Sequence, residues 1–353
     1  MPIDLLKVLI PALLAFWIGI AITPVVTHYL YKHKVWKKRG GKQALDGSVA
    51  EEFNRMHGEN ELHTPRMGGI VIWLSASVTI FGLWALGHFF PSDITTKLDF
   101  LSRDQTWIPL FTLLIGALIG FSNDLLDTLD EGPKGMSVSV RLLLVLATSG
   151  IIGWWFYGKL GITEVGIPFG LPLEIGWLII PFFMLVSVSL YASGVIDGID
   201  GLSGFVFTSI FLAYAFIAFN QDQINLAAFC TMMAGAILAF LWFNIPPARF
   251  WMTETGSMGI TLTIAVIAFM TDSLGEGIGI SALPIIAGLL VITVVSNILQ
   301  VLWKKFKGRK LFKIAPLHHH FEAVGWPSYK VAMRYWVLSI IFAVLGVIFA
   351  LVA

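Results

Sequence analysis

Acidic residues interrupt two apolar stretches of this sequence. Asp124, Asp127 and Asp130 recur at every third position at the end of one stretch, and Asp197 and Asp200 stand among glycines in another. Acids three apart share one face of a helix, where their charges repel unless solvent or a cation separates them. Carboxylates bind Mg²⁺ well when substrate phosphates complete its coordination. The first group taken alone is better explained by a solvated helix end, although a bridging Mg²⁺ is compatible with its spacing. For Asp197 and Asp200 the pattern favours a ligand site over a tight Asp-Gly turn.

In a third segment, Glu254 precedes Thr255, Gly256 and Ser257 at the start of another apolar stretch. Small residues at a helix start leave backbone N–H groups open to an anion, so this segment is a candidate phosphate site. A helix cap formed by Ser or Thr with a nearby acid is the alternative. Residues 63–69 read HTPRMGG. Their glycine pair lets a ligand approach the backbone, although a plain turn explains this segment better.

Three adjacent histidines, His318, His319 and His320, lie in a long basic loop. Imidazole groups can bind phosphate, move protons or ligate a metal. A zinc site normally spaces its histidines or adds cysteine. The uninterrupted run therefore favours contact with phosphate.

The composition indicates the kind of scaffold that positions these residues. Apolar residues make up 57% of the 353 residues and charged residues 13%, against about 45–50% and about 25% in soluble domains. We therefore predict an all-α integral membrane protein, since a helix of about 20 apolar residues crosses the hydrocarbon core with its backbone satisfied. Residues 1–353 are predicted to form one domain. The ten predicted spans are 8–30, 67–90, 107–126, 141–157, 174–194, 201–219, 223–244, 257–272, 280–303 and 334–353.

Lysine and arginine predict how these spans are oriented. The loops after spans 1, 3, 7 and 9 carry 19 of the 23 basic residues, and basic loops stay in the cytosol. Every motif above lies at that end, so we predict a cytosolic site with both termini outside. Gly and Pro among β-branched residues predict a hairpin in 158–173 at the opposite end. The net charge of +1 offers no basic excess for nucleic acid, and the single Cys230 excludes an internal disulfide.

Taken together, the motifs resemble those of the polyprenyl-phosphate N-acetylhexosamine-1-phosphate transferase superfamily over nearly the whole chain. Residues 315–322, APLHHHFE, followed by Gly325-Trp326, are similar to the histidine motif of its phospho-N-acetylmuramoyl-pentapeptide transferase family. Residues 64–69, TPRMGG, are similar to a motif of the wider superfamily, which includes GlcNAc-1-phosphate transferases.

This resemblance implies an enzyme of the bacterial inner membrane. The reaction would move phospho-N-acetylmuramoyl-pentapeptide from UDP to undecaprenyl phosphate, giving UMP and lipid I, and a homodimer is compatible with the superfamily. The resemblance implies Mg²⁺ as cofactor and assigns it to Asp124 and Glu254. Asn123 would be a weaker ligand or would position the lipid phosphate. His318 and His319 would contact phosphate or the leaving UMP.

The resemblance also assigns substrate-binding residues. Asp197 and Asp200 would hold the nucleotide or complete an acidic cleft, and Trp251 would lie against the uracil. Further candidates are Asp127, His320, Arg66 and, for attracting anions, Arg141.

Five positions depart from the family pattern. Asn123 replaces the first of two aspartates, Glu254 replaces an aspartate, and Thr253 replaces a glycine. Tyr191 and Gly194 replace two asparagines. Loss of a negative ligand weakens metal affinity. Two alternatives within the class stay open. Residues 65–69, PRMGG, favour a transferase that uses UDP-GlcNAc, and the replacements at Asn123, Tyr191 and Gly194 favour a catalytically impaired paralogue. A small-molecule transporter is the alternative outside the class, although the span centres are almost free of the charges it would need.

Overall fold

The computed structural model describes residues 2–36, 54–55, 62–102, 105–129, 135–272, 274–275 and 277–353. Within these ranges, ten segments are helical, long and apolar enough to cross a membrane. The prediction of an all-α multi-pass membrane protein is confirmed. In chain order the helices are α1 (Pro2–Lys32), α2 (Ile70–Phe89), α3 (Asp93–Leu98), α4 (Trp107–Leu129), α5 (Val138–Gly158), α6 (Ile179–Ser193), α7 (Leu202–Asn220), α8 (Ile224–Asn244), α9 (Thr253–Met270), α10 (Gly279–Ile286), α11 (Gly288–Lys307), α12 (Leu317–Ala323) and α13 (Ser328–Val352). Two 3₁₀ turns, Gly176–Leu178 and Gly194–Ile196, flank α6.

The ninth span differs from its predicted boundaries. The stretch 280–303 is not one helix, because the chain leaves helical geometry at Ala287 and divides into α10 and α11. Pro284 lies inside α10 and cannot donate a backbone hydrogen bond. Beyond the break, Gly288 packs against the ring of Phe342, where a β-carbon would lie 2.6 Å from the ring. A run of apolar residues alone does not reveal this interruption.

The helices α7, α8 and α9 form the buried centre, whereas most of α1, α11 and α13 faces outward. Glycines join α4 to α9 without intervening side chains. A β-carbon on Gly116 would lie 2.8 Å from the α-carbon of Gly259, and one on Gly120 would overlap the carbonyl of Glu254. Gly69, which directly precedes α2, packs in the same way on Gly256 of α9. This glycine seam fixes the end of α4 beside the start of α9.

At the opposite end of α9, a short hairpin covers the bundle. Strand β1 (Glu164–Val165) pairs antiparallel with β2 (Leu173–Glu174), which confirms the predicted hairpin. The buried Asp272 accepts hydrogen bonds from the backbone N–H groups of Gly166 (2.8 Å) and Ile280 (3.0 Å). Burial raises the pKa of this carboxyl to about 6. The orientation of the termini and the single domain stay predictions.

Candidate active site

Thr253, the first residue of α9, joins three of the predicted segments. Its backbone N–H donates to Asp197 Oδ2 (2.8 Å), and its hydroxyl donates to Asp124 Oδ2 (2.6 Å). The same hydroxyl accepts from the N–H of Met67 (3.1 Å). Thr253 has a φ of +54°, a conformation that is rare for a β-branched residue. The surrounding hydrogen bonds hold this strained backbone in place.

Asp124 is fully buried near the end of α4. Its Oδ1 accepts from Arg66 Nη2 (3.0 Å), and its Oδ2 accepts from both the N–H (2.8 Å) and the hydroxyl (2.6 Å) of Thr255. These donors, with the positive N-terminal end of α9, offset the loss of solvation of the carboxylate. Arg66 also lies 3.5 Å from Asp127 Oδ2. Asp130 lies outside the described residues.

Glu254 forms an ion pair with Arg141 of α5 through its Oε1. Its other oxygen, Oε2, is buried and has no hydrogen-bond partner among the described residues. An orphan buried carboxylate oxygen of this kind is suited to a cation. The structure describes no group of three or more His, Cys, Asp and Glu side chains that are close enough to hold a metal. Each of the two predicted magnesium ligands, Asp124 and Glu254, is instead paired with an arginine.

Asn123 binds the chain that follows α4. The side chain is buried, and its Oδ1 accepts from the N–H of Met136 (2.9 Å). A β-carbon on Gly135 would lie 3.2 Å from the amide carbon of Asn123. The amide oxygen that was predicted as a weak metal ligand is therefore used to anchor the chain that leads into α5.

Asp197 and Asp200 bind neighbouring parts of the chain. Asp197 Oδ1 accepts from the hydroxyl of Ser203 (2.7 Å). Asp200 Oδ1 accepts from Trp251 Nε1 (2.9 Å), and its Oδ2 accepts from the N–H of Ala248 (3.0 Å). Asp200 therefore holds the indole edge of Trp251. Both residues were predicted to bind the same nucleotide.

The histidine motif folds into the short helix α12 instead of an open loop. His318 and His319 are buried, and a β-carbon on Gly198 would lie 2.8 Å from His318 Nε2. His319 Nδ1 lies 2.7 Å from Glu322 Oε2, and Glu322 Oε1 accepts from the hydroxyl of Ser328 (2.6 Å). The imidazoles therefore lie directly on the segment between the two aspartates at 197 and 200, which requires glycine at position 198.

His320 lies apart from the other two histidines. Its Nδ1 accepts from the N–H of Lys313 (3.2 Å), and its ring contacts Phe312. Burial and the charge of Lys313 lower the pKa of His320. The described contacts thus join His320 to residues 312–313 of the preceding loop.

The contacts link the predicted segments at one end of the bundle. Asp124, Asp197 and Glu254 meet around the start of α9, and the two buried histidines join them through the Gly198 segment. The interpretation of the sequence missed Thr253 and Glu322 as parts of this site. The replacement of glycine by Thr253 was the available signal.

Comparison with known proteins identifies relatives of this chain. The model of glycosyl transferase family 4 matches residues 106–272. A phospho-N-acetylmuramoyl-pentapeptide-transferase of Geobacillus sp. (strain WCH70) is 32% identical over 339 residues, which is 95% of each chain. The proteins of that name from Anoxybacillus flavithermus and Bacillus subtilis (strain 168) are also 32% identical, over 96% of this chain and 97% of theirs.

Proposed function

We infer the function from the premise that this chain belongs to the phospho-N-acetylmuramoyl-pentapeptide transferase family, and that it is a phosphoglycosyl transferase. We propose that it transfers phospho-N-acetylmuramoyl-pentapeptide from UDP to undecaprenyl phosphate. The products are UMP and lipid I. The observation that carries the proposal is the pair of hydrogen bonds by which Thr253 joins Asp124 to Asp197.

The reaction exchanges one phosphate bond for another. An oxygen of undecaprenyl phosphate attacks the sugar-bearing phosphorus, the bond to UMP breaks, and a new diphosphate forms. A phosphate monoester has a second pKa of about 6, so at neutral pH this nucleophile is largely ionised and needs little help from a base. The larger obstacle is the approach of two anions, which requires positive groups at the site.

The donor set fits Mg²⁺ in its chemistry. Asp124 and Glu254 would hold the ion, and the orphan Oε2 of Glu254 supports this assignment. When bound, Mg²⁺ supplies positive charge to the reacting phosphates. Asn123 contributes by holding the chain at Met136.

The chain's own cations neutralise the acids and bind the substrates. When substrates enter, Arg66 and Arg141 release Asp124 and Glu254 and bind phosphate oxygens instead. Asp127, which lies 3.5 Å from Arg66, keeps that guanidinium in position for the substrate. His318 and His319 donate to the phosphate of the leaving UMP, and Glu322 holds the His319 ring for this contact.

In this proposal the nucleotide lies against Trp251, whose indole N–H donates to Asp200. Asp200 holds the indole of Trp251 at its edge and leaves the ring face for the uracil. Asp197 completes the acidic cleft, and His320 binds substrate at its margin. The site faces the cytosol of a bacterial inner membrane, where a soluble nucleotide can meet a lipid phosphate. Residues 1–353 act as one domain, and two copies form a homodimer.

Release of UMP tests the function directly. The purified chain in detergent, given Mg²⁺ and undecaprenyl phosphate, is expected to release UMP from UDP-N-acetylmuramoyl-pentapeptide. UDP-GlcNAc is the matched donor and is expected to give at least about tenfold less product. A reversed preference would replace the proposed donor, and no release from either donor would overturn the proposed activity.

A further inference from the structure

A cavity of about 490 Å³ lies between the last turns of α1 and the C-terminal end of α8, at the same end of the bundle as the active site. Its walls carry both apolar and basic side chains. The lining residues are Pro24, Thr27, His28, Tyr31, Lys32, Phe243 and Arg249. Among the described residues, none in this lining is acidic, so the described walls offer positive charge and hydrogen-bond donors.

The hydroxyl of Thr27 is buried and has no partner in the part of the chain that the structure describes. Most threonines in membrane helices donate to the carbonyl one turn earlier, as Thr23 does to Gly19 (2.7 Å). Thr27 Oγ1 is shielded from solvent and forms no hydrogen bond within the described part of the chain. A buried hydroxyl without a partner is costly, so a ligand that accepts its proton gains affinity.

The charges around Thr27 have the arrangement that an anion needs. Lys32 lies on α1, and Arg249 lies in the loop that follows α8. Neither forms an ion pair within the ranges that the structure describes. The Arg249 guanidinium lies over the ring of Phe243, 5.6 Å from its centre, which places it at the wall of the cavity. Three different donors thus converge from two elements.

The surroundings favour a lipid over a soluble anion. Val25 and Tyr29 of α1 and Trp242 and Ile245 near the end of α8 are all exposed, and each lies within two positions of a lining residue in the sequence. In a membrane-spanning bundle such apolar side chains contact acyl chains. A phosphate group with attached acyl chains can therefore satisfy the cavity and the adjoining surface together.

We propose that this cavity binds the phosphate of an anionic membrane lipid, with Thr27, Lys32 and Arg249 as its ligands. The site is separate from the acidic active site and does not depend on the proposed reaction. Tyr31 donates to the carbonyl of Arg249 (3.0 Å). This hydrogen bond joins α1 to the loop that leads to Trp251.

Native mass spectrometry of the full chain with phosphatidylglycerol tests this proposal. Thr27→Val keeps the size and the charge of the side chain and removes the hydroxyl. We expect it to weaken phosphatidylglycerol binding about fivefold or more. The double variant Lys32→Gln/Arg249→Gln is expected to weaken binding at least about tenfold. The matched control Arg309→Gln/Lys310→Gln removes the same charge from an exposed loop and is expected to change binding less than about twofold.

Three outcomes would overturn the proposal. Equal losses in the cavity and control double variants would show general attraction between lipid and basic surface. Wild-type lipid binding by a Thr27→Val variant that keeps its normal melting temperature would remove the hydroxyl from the site. If inorganic phosphate displaces phosphatidylglycerol at equal concentration, the ligand is a soluble anion and the lipid source is wrong.

Discussion

The two ends of α9 each bury an aspartate, and the two aspartates have opposite surroundings. Asp124 lies beside the first turn of α9, accepts from Thr255 and is paired with Arg66. Asp272 lies just beyond the last turn, about 27 Å away along the axis. It accepts hydrogen bonds from two backbone N–H groups, and no cation pairs with it within the described ranges.

The difference shows what a buried acid does in each setting. The positive end of the α9 dipole and an arginine balance Asp124, and a phosphate or a metal can compete for those partners. Asp272 lies at the negative end of the same dipole, where burial raises its pKa to about 6. One acid is therefore suited to ligand exchange, whereas the other clamps the hairpin to the end of α9.

The largest expected effect is a difference in activity between variants of these two acids. Asp124→Asn should lower UMP release by about 10²–10³-fold, because the site loses a charge that orders Arg66 and Thr253. Asp272→Asn is the matched control at the other end and should keep activity within about threefold. Initial rates of UMP release in detergent measure both. Wild-type rates for Asp124→Asn would refute its role.

A second test separates the strain at Thr253 from its hydroxyl. Thr253→Val should lower UMP release by about 10-fold or more, since it loses the bond to Asp124, and Thr253→Ser should stay within about threefold. Thr253→Gly should melt at a higher temperature than Thr253→Val, because both variants lose the hydroxyl and only glycine relieves about 1–2 kcal/mol of strain at this φ. It should nevertheless be as slow as the valine variant. Wild-type rates of UMP release in all three variants would show that the hydroxyl has no role.

The third test concerns the support beneath the histidines. Glu322→Gln removes the charge that faces His319, and we expect kcat to fall about 10-fold. Since Glu322 acts through His319, the KM for the UDP-sugar should change less than about twofold. Ser328→Ala, which removes the other hydrogen bond to Glu322, is the milder control. A rise in KM with unchanged kcat would instead place Glu322 in substrate binding.

The last test concerns stability instead of activity, and it is a pH dependence at Asp272. Its pKa is about 6 in the folded chain and near 3.8 in the unfolded chain, so the folded state binds more protons between these values. Stability therefore falls as pH rises from about 4 to 6, by at most about 3 kcal/mol, and is then constant. Melting temperatures across this range should show the fall in the wild type and its loss in Asp272→Asn. Parallel curves would contradict this assignment.

The ten spans could be predicted because hydropathy is a local property of each segment. The site could be predicted as a set of residue types at one end, since Asp124, Asp197 and the histidines interrupt or flank apolar runs. Their partners could not be predicted, because Arg66 and Thr255 lie 58 and 131 positions from Asp124 in the chain. Asp272 escaped attention for a similar reason. It reads as the last residue of the predicted span 257–272 until folding brings Gly166 beside it.

The glycine seam between α4 and α9 restricts how this chain can diversify. A methyl group at Gly116 or Gly120 would force the two backbones apart and carry Asp124 away from Thr255. The close backbone contact between α4 and α9 therefore sets the distance between Asp124 and Thr255. New donor preferences would have to arise in the tolerant peripheral loops, and resistance mutations against an inhibitor that reaches the seam should be rare.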